Sequence, residues 1–201
     1  VTCTAIDLAG NSASCSFRVT VTSGPLNTAP VADASATDRT VISGNNSNAV
    51  VHLDGTRSTD ADGDPLTYAW LVDGGLVPVA TGAIASIVLE VGTHTITLVV
   101  DDGLAMDTDV IEVNVLTAGE AVDEIIAVLN AADLGGKNKR PLNASLKAAV
   151  ASFDRGNNQS GANQLEAFLN KLEAQIGRTN PVAAEALRRA VQEVLDALET
   201  P

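Results

Sequence analysis

Hydrophobic and polar positions alternate in short runs over the first 116 residues, and the apolar residues then change to a helical spacing. Strict alternation predicts half-buried strands, whereas apolar residues at i, i+3, i+4 and i+7 predict amphipathic helices. Strands therefore precede helices, and we expect a multidomain fold that is all-β and then all-α. The β part is predicted to be a β-hairpin followed by an antiparallel β-sandwich, and the α part to be an antiparallel four-helix bundle.

The first β segment, residues 1–22, contains two alternating runs that flank the turn signal "DLAGNS". A hairpin symmetric about Ala9 places Cys3 opposite Cys15, and we expect a disulfide between them across a non-hydrogen-bonded pair. Such a bond would indicate an oxidising compartment. Two free buried thiols, or a cysteine paired with a missing N-terminal part of a longer chain, are the alternatives. The runs "CTAIDLAGN" and "CSFRVTV" resemble the last two strands of a hyalin-repeat (HYR) domain.

The second β segment, residues 30–117, follows a linker at 23–29 and contains short strands separated by Gly, Asn, Asp and Pro. Strands at intervals of about 8–12 residues predict a β-sandwich, with Trp70 buried between the sheets. The stretches "NTAPVADA", "LDGTRSTDADGDPLTYAW" and "ITLVVDDG" resemble the polycystic-kidney-disease (PKD) repeat family, which implies an Ig-like sandwich. After Trp70 the sequence continues "LVDGG", where the PKD pattern usually has an aspartate and an aromatic residue, so the resemblance is to a divergent branch of the family.

The helical segment, residues 118–201, contains four amphipathic stretches with apolar stripes. Pro141 and Pro181 stand near predicted helix starts and glycines follow predicted ends, which is the usual asymmetry of helix termini. Short connections between the four stretches predict the antiparallel bundle. The runs "LNASLKAAVASFDRGN", "ANQLEAFLNKLEAQIG" and "AVQEVLDAL" resemble the FIMAH domain, a module that recurs in bacterial and archaeal hydrolases. The resemblance implies a secreted or surface-attached prokaryotic protein.

Charge is distributed unevenly along the chain, whose formal net charge is −13. Residues 1–116 hold 14 acidic side chains against three arginines and no lysine, whereas residues 117–201 hold 11 acidic and nine basic side chains. A chain without basic patches is not expected to bind nucleic acid. An acidic surface suits an extracellular module that holds divalent cations, and solubility alone is the alternative. No apolar run approaches the ~20 residues needed to span a bilayer.

Catalytic motifs are missing from the sequence. It contains no Gly-x-Ser-x-Gly elbow, no Gly-rich phosphate loop and no His-Glu-x-x-His motif. His52 and His94 lie in strand patterns without a nearby nucleophile, so we interpret both as structural. We therefore expect no enzymatic activity in this chain.

One candidate site remains, in the loop "STDADGDP". It is not an EF-hand, because the sixth and twelfth positions counted from Asp60 hold Pro65 and Leu71 instead of Gly and Glu. An Ig-like topology brings this loop to one pole of the sandwich with two other loops, which makes an oxygen-rich Ca²⁺ environment. The alternative is a solvated acidic turn in which Asp60 caps the local backbone. The predicted ligands are Asn27, Asp60, Asp62, Asp64, Asp101 and Asp102.

Together with the missing catalytic motifs, the resemblances imply a non-catalytic accessory or spacer region of an extracellular protein, appended to a hydrolase, and the acidic loop adds the expectation of Ca²⁺ stabilisation. Its expected partners are upstream domains of the same chain and a cell-surface polysaccharide or protein. An adhesin or surface stalk without any enzyme is the first alternative. A carbohydrate-binding module is the second.

Overall fold

The computed structural model describes residues 1–21, 26–134, 136–177 and 179–199. In this part of the chain ten strands come first and four helices follow, as the apolar spacing predicts. Thr22 of the predicted hairpin segment, residues 23–25 of the predicted linker, and Gly135 lie outside the described residues. None of the helices in the described ranges is long and apolar enough to cross a membrane.

Strands β1 (Thr2–Ile6) and β2 (Ser12–Ser16) form a separate two-stranded antiparallel hairpin. The register is centred on Ala9, and Cys3 lies opposite Cys15 as expected. The side chains at odd positions, which share one face, are mostly apolar, whereas those at even positions are mostly polar. All of residues 1–21 are exposed, so the apolar face is uncovered in the described part of the chain. A lone two-stranded hairpin is only marginally stable in water.

The expected disulfide is not formed in this structure, where Cys3 and Cys15 are exposed free thiols. Val1 and Phe17 exchange two backbone hydrogen bonds, each of 2.9 Å. Because hydrogen-bonded and non-hydrogen-bonded pairs alternate, Cys3 and Cys15 are also a hydrogen-bonded pair. The prediction of a non-hydrogen-bonded pair is therefore wrong. Hydrogen-bonded pairs hold their Cβ atoms farther apart than the ~3.8 Å that a disulfide requires.

The second part of the chain is a sandwich of two sheets. One sheet has the order β4-β10-β9-β6-β7 and the other β3-β5-β8, and neighbours are antiparallel except for the parallel pair β4 and β10. The strands are β3 (Ser35–Ala36), β4 (Thr40–Ser43), β5 (Asn48–Asp54), β6 (Thr67–Val72), β7 (Ala80–Thr81), β8 (Ile84–Glu90), β9 (Gly92–Asp101) and β10 (Met106–Thr117).

Trp70 is the largest side chain of the sandwich core, which confirms the prediction for this residue. It is fully buried, and its indole N–H donates to the Gly82 carbonyl oxygen at 2.9 Å. Gly55 lets the chain pass close to this core, because a Cβ there would lie 2.9 Å from the Leu98 side chain and 3.3 Å from the Trp70 ring.

Two carboxylates hold the chain segment that enters the sandwich. Asp109 and Asp107 lie on the same side of β10 as the buried Ile111. Their Oδ2 atoms accept hydrogen bonds from the backbone N–H groups of Ala34, at 2.8 Å, and Ala32, at 2.9 Å. These side chains satisfy donors that a neighbouring strand would otherwise pair, so the segment before β3 is tied to β10.

The helices pack around one core in the order of the chain, and α1 also contacts α4. They are α1 (Ala118–Ala131), α2 (Gly136–Phe153), α3 (Asn158–Ile176) and α4 (Pro181–Glu199). The predicted stripes are buried, with Leu129, Phe168 and Val191 each fully inaccessible. One boundary differs from the prediction. Helix α2 begins at Gly136, so Pro141 lies inside it, where the missing N–H removes one intrahelical hydrogen bond.

The two domains share a direct junction, because β10 ends at Thr117 and α1 begins at the next residue. Thr117 and Glu120 form a capping box at the start of α1. Asn46, whose φ is +57°, accepts a hydrogen bond from the Ala118 N–H at 3.0 Å and donates to Asn158 at 3.2 Å. Asn158 in turn donates to the carbonyl oxygen of Gly44 at 3.0 Å. Side-chain amides therefore cross the junction in addition to the covalent connection.

A histidine–carboxylate pair lies at the same end of the sandwich as this junction. His94 Nδ1 is 2.8 Å from Asp73 Oδ2, and His94 Nε2 is 2.9 Å from the carbonyl oxygen of Glu90. Burial lowers the pKa of His94, but the hydrogen bonds to Asp73 and Glu90 outweigh it and raise the pKa above 6.5. The hydrogen bonds from His94 and the Thr95 N–H hold the pKa of Asp73 below 3.8. The pair therefore favours the folded state while both groups are charged.

We expect Gly161→Ala to destabilise the bundle. A Cβ at Gly161 would lie 2.3 Å from the Phe153 ring, which is itself 3% exposed and cannot move aside freely. Overpacking of this kind costs ~1–3 kcal/mol, more than the ~1 kcal/mol that alanine gains in helix propensity. Urea denaturation measures the change. Gly136→Ala is the matched control, since nothing lies within 4 Å of its Cβ position. Equal stability of the two variants would contradict this packing.

Stability should fall as the pH rises through the folded-state pKa of His94. A raised histidine pKa contributes stability that is complete below its unfolded value of 6.5 and is lost above the folded value. The Asp73 side chain is 52% exposed, so we expect a loss below about 1 kcal/mol. The measurement is urea denaturation of the full chain at about pH 6 and about pH 9. His94→Gln should remove this part of the pH dependence and His52→Gln should retain it; the reverse result would assign it to His52.

Candidate metal centre

The acidic loop between β5 and β6 is anchored by a backbone bridge directly before the aspartates. Val31 and Thr59 form a two-way backbone bridge, with hydrogen bonds of 2.7 and 3.0 Å. Gly63 then reverses the chain with a φ of +80°, which favours glycine. The loop therefore lies against the segment that precedes β3, at the end of the sandwich opposite the helices.

Asp60, Asp62 and Asp64 lie together in this loop. One oxygen from each can be chosen so that all three lie within 4.8 Å of one another. Asp60 Oδ1 accepts the backbone N–H groups of Asp62, at 2.8 Å, and Asp64, at 3.1 Å, and these bonds fold the loop around it. Asp60 Oδ2 is buried without a hydrogen-bond partner in the described residues. Asp60 thus caps the backbone, as the alternative interpretation states, and also directs a second oxygen inward.

Asn27 and Thr28 connect this cluster with the β9–β10 loop. Asp62 Oδ2 accepts the Thr28 N–H at 2.6 Å, and the Asn27 side-chain amide donates to Asp102 Oδ2 at 2.9 Å. The Asn27 amide, together with the N–H groups of Ala105 and Leu104, holds the pKa of Asp102 below 3.8. The structure therefore brings Asn27 and Asp102 to the same end of the sandwich as the three aspartates.

Asp101 and Asp102 are nevertheless not in the cluster of three carboxylates. Asp101 Oδ1 accepts the Gly103 N–H at 2.7 Å, and Asp102 Oδ1 accepts the N–H groups of Leu104 and Ala105, each at 2.7 Å. These bonds stabilise the β9–β10 turn. Of the six predicted ligands, Asp60, Asp62 and Asp64 form one oxygen cluster. Asn27 is adjacent in the chain to a residue that contacts this cluster, because the N–H of Thr28 donates to Asp62.

The cluster has the chemistry of a hard-cation site. Ca²⁺ takes oxygen ligands at ~2.3–2.6 Å, so two oxygens on one ion are separated by at most ~5 Å. The three carboxylates meet this limit. The nearby Arg57 pairs with Asp33 at 2.7 Å, and no salt bridge among the described residues involves the three aspartates. Their mutual repulsion is therefore not relieved by a basic side chain, and a divalent ion would relieve it.

The sequence reasoning missed Asp107 and Asp109. They lie outside the oxygen cluster, and through Ala32 and Ala34 they hold the segment that carries Asn27 and Thr28. A signal was present, because two aspartates occupy alternate positions in phase with the apolar residues of β10. Acidic residues on the inner side of a strand require a hydrogen-bond partner.

Two family models match the chain: the PKD domain at residues 27–115 and the FIMAH domain at residues 122–196. The hairpin at 1–21 lies outside both matches, so its HYR resemblance stays a prediction. No curated protein matches the chain.

Solved structures give weaker likenesses. Fibronectin(III)-like modules of Clostridium thermocellum CbhA are 17% identical, with a TM-score of 0.35, over 58% of this chain and 60% of that chain. A nucleoside hydrolase-related hypothetical protein from Saccharophagus degradans, described as associated with carbohydrate metabolism, is 23% identical, with a TM-score of 0.33, over 45% of this chain and 26% of that one. The chain spans less than two thirds of the length of each, and neither likeness carries a functional argument.

The two family matches fall on the two folded parts of the chain, in the same order. Residues 27–115 correspond to the sandwich with its acidic loop, and residues 122–196 to the four helices. The chain therefore contains a PKD domain followed by a FIMAH domain.

Proposed function

We propose that this chain is an accessory and spacer region of a secreted or surface-attached prokaryotic protein, in which it holds other domains of the same longer chain. PKD and FIMAH are non-catalytic domain types. The proposed parent is a hydrolase, because the resemblance of the helical segment is to a module that recurs in such enzymes. The region would set the distance and orientation of its neighbours.

The observation that carries this proposal is the junction between the two domains. Leu116 of β10 and Ile42 of β4 pack against the core of the bundle, so both sheet and helices bury surface there. The capping box at Thr117 and the Asn46 amide fix the first turn of α1. Domains that share a core and a hydrogen-bond network keep one orientation, which is what a spacer requires.

The hairpin at residues 1–21 supports the proposal of upstream partners. Its odd-numbered face is apolar, and every residue in it is exposed. Burial of Phe17, which is 54% exposed, and its neighbours would stabilise the hairpin by ~25 cal/mol per Å² of apolar area. A sheet from a preceding domain of the same chain is the partner that we propose for this face.

Calcium is the proposed stabilising ion of the sandwich. The three clustered carboxylates and the partnerless buried oxygen of Asp60 support it. Six to eight oxygens surround Ca²⁺ in proteins, so backbone carbonyls, water or the Asn27 amide oxygen would complete the set. An extracellular module needs only a Kd of about 10⁻⁴–10⁻³ M.

The alternative of a carbohydrate-binding module has less support. Trp70, the single tryptophan, is fully buried and therefore provides no stacking platform for a sugar. Depletion assays with cellulose, xylan and chitin distinguish the two proposals. If the chain is a spacer, the protein should stay in solution. Saturable binding of the protein to one of these polysaccharides would favour the carbohydrate-binding alternative.

We expect the two domains to tumble as one body. Amide ¹⁵N relaxation should give the sandwich and the bundle the same rotational correlation time. Asn46→Gly removes the side chain that bonds Ala118 and Asn158 while tolerating the positive φ, and should make the two correlation times differ. Asn163→Ala, at an exposed position of α3, is the matched control and should have no effect. Independent tumbling in the unmodified chain would refute a rigid spacer.

Millimolar Ca²⁺ should raise the melting temperature of the full chain relative to a chelator. Binding to the folded state alone adds RT ln(1 + [L]/Kd), or ~2.7 kcal/mol at a hundredfold excess over Kd. Asp60→Asn should abolish the rise while keeping the oxygen that accepts the N–H groups of Asp62 and Asp64. Differential scanning calorimetry with Ca²⁺, Mg²⁺ and EGTA measures the effect.

Asp38→Asn is the control for this experiment, because Asp38 is exposed in the same sandwich and lies outside the oxygen cluster. It should retain the full Ca²⁺ response. Identical melting temperatures with Ca²⁺ and EGTA would leave the loop as an acidic turn and would not affect the spacer proposal.

A further inference from the structure

Among the residues that the structure describes, strand β8 is an unpaired edge of the three-stranded sheet β3-β5-β8. It is seven residues long, and it pairs along its whole length with β5 on one side only. Its even-numbered side chains are exposed, and its odd-numbered side chains lie in the sandwich core along the whole strand. The other side of the strand therefore presents backbone groups to solvent.

The register decides which backbone groups these are. The Gly55 N–H donates to the Ala83 carbonyl oxygen at 2.7 Å, and the Val91 N–H donates to the Ser47 carbonyl oxygen at 2.8 Å. Hydrogen-bonded pairs therefore fall at odd positions, and the backbone groups of even positions point away from β5. The outward residues are Ile84, Ser86, Val88 and Glu90. In the described ranges, one group outside the sheet bonds to the backbone of these four residues: His94 Nε2, which lies 2.9 Å from the Glu90 carbonyl oxygen.

This edge lacks the features that usually prevent pairing with another strand. Natural edge strands carry lysine, proline or a bulge, or they are covered or very short. Strand β8 reads "IASIVLE", without proline or lysine, and it pairs with β5 without a register break. Ile84 is 72% exposed and Val88 is 65% exposed, and Val50, opposite Val88 on β5, is 51% exposed. The edge combines free hydrogen-bonding groups with an apolar strip.

The charges around the edge indicate the kind of partner. Glu90 lies at one end of β8, and Asp54 lies opposite Ile84 at the other end. The sandwich at 30–117 holds 13 acidic residues and two arginines, of which Arg57 is paired with Asp33. A second copy would bring the same negative charge to the edge, so charge complementarity disfavours it.

We propose that the free edge of β8 binds an extended, cationic segment of another protein chain by strand addition. Outward N–H and C=O groups of Ile84, Ser86 and Val88 supply the main-chain hydrogen bonds. Apolar side chains at alternate positions of the segment contact Ile84 and Val88. Lysine or arginine at its two ends pairs with Asp54 and Glu90. The proposal is independent of the spacer role and of Ca²⁺.

The experiment is amide hydrogen exchange of the ¹⁵N-labelled full chain with and without a synthetic peptide. The probe is acetyl-Lys-Thr-Val-Thr-Val-Thr-Lys-amide. The amides of residues 85, 87 and 89 are already bonded to β5, so their protection should not change. The amides of residues 84, 86, 88 and 90 should become protected when the peptide binds. A peptide with both lysines replaced by glutamate should bind at least tenfold more weakly.

Variants test the same edge from the protein side. Val88→Pro removes an outward N–H that β5 does not use, so the fold should persist while binding is lost. Val88→Lys should weaken binding of the cationic peptide at least tenfold and serves as the second variant if proline destabilises the strand. Val110→Lys, at a 55% exposed valine of β10 in the other sheet, is the matched control and should retain the alternating pattern of protection.

Three outcomes would overturn the proposal. The first is unchanged exchange at residues 84, 86, 88 and 90 in saturating peptide. The second is equal affinity for the glutamate peptide. The third is protection of the same four amides without peptide that increases with protein concentration, together with a dimer in sedimentation velocity. This last result would assign the edge to a second copy of the chain.

Discussion

The pairing of β10 with both its neighbours is the constraint on which the two domains depend. Its antiparallel ladder with β9 extends over ten residue pairs, and its last four residues pair in parallel with β4. Through its inward aspartates it also holds the segment that enters the sandwich. The same strand ends in Leu116, which packs in the bundle, and Thr117, which caps α1. At one end of the sandwich β10 therefore positions the segment that contacts the acidic loop. At the other end it positions the helices.

The two ends of the sandwich differ in chemistry because they use charged groups differently. At the helical end, His94 and Asp73 form a hydrogen-bonded pair, and asparagines bridge the junction. At the opposite end, Asp60, Asp62 and Asp64 lie together without a basic partner in the described residues. Their backbone hydrogen bonds stabilise the loop but leave the charge repulsion in place, which a divalent cation can relieve. The first end thus joins domains, and the second end is open to an ion.

Much of the fold could be predicted from local pattern, since a strand or helix buries one face and the period of its apolar residues records that face. This argument placed Trp70 in the sandwich core and Phe168 in the bundle, and both are fully buried. It failed where local signals compete. Pro141 is typical of a helix start, yet α2 begins at Gly136, and in its first turns the Asn138 and Lys139 side chains donate hydrogen bonds to the carbonyl oxygens of Leu134 and Asn130. The acidic loop of the candidate site could be predicted, because "STDADGDP" is contiguous in the sequence. The sequence did not show that Asp101 and Asp102 lie outside the cluster, because they make hydrogen bonds within their own turn.

The sequence by itself determined the order of strands and helices, the register of the hairpin about Ala9, and the concentration of acidic residues in the sandwich. These properties are local, or they are sums over residues, so they do not depend on which elements meet. Tertiary structure alone decided that Cys3 and Cys15 form a hydrogen-bonded pair, that β8 is left as an edge, and that Asn46 reaches α1. The first depends on which backbone groups face the opposite strand, and a one-residue change of register would reverse that parity. The other two depend on which distant segments meet, and the local pattern of apolar residues does not specify this.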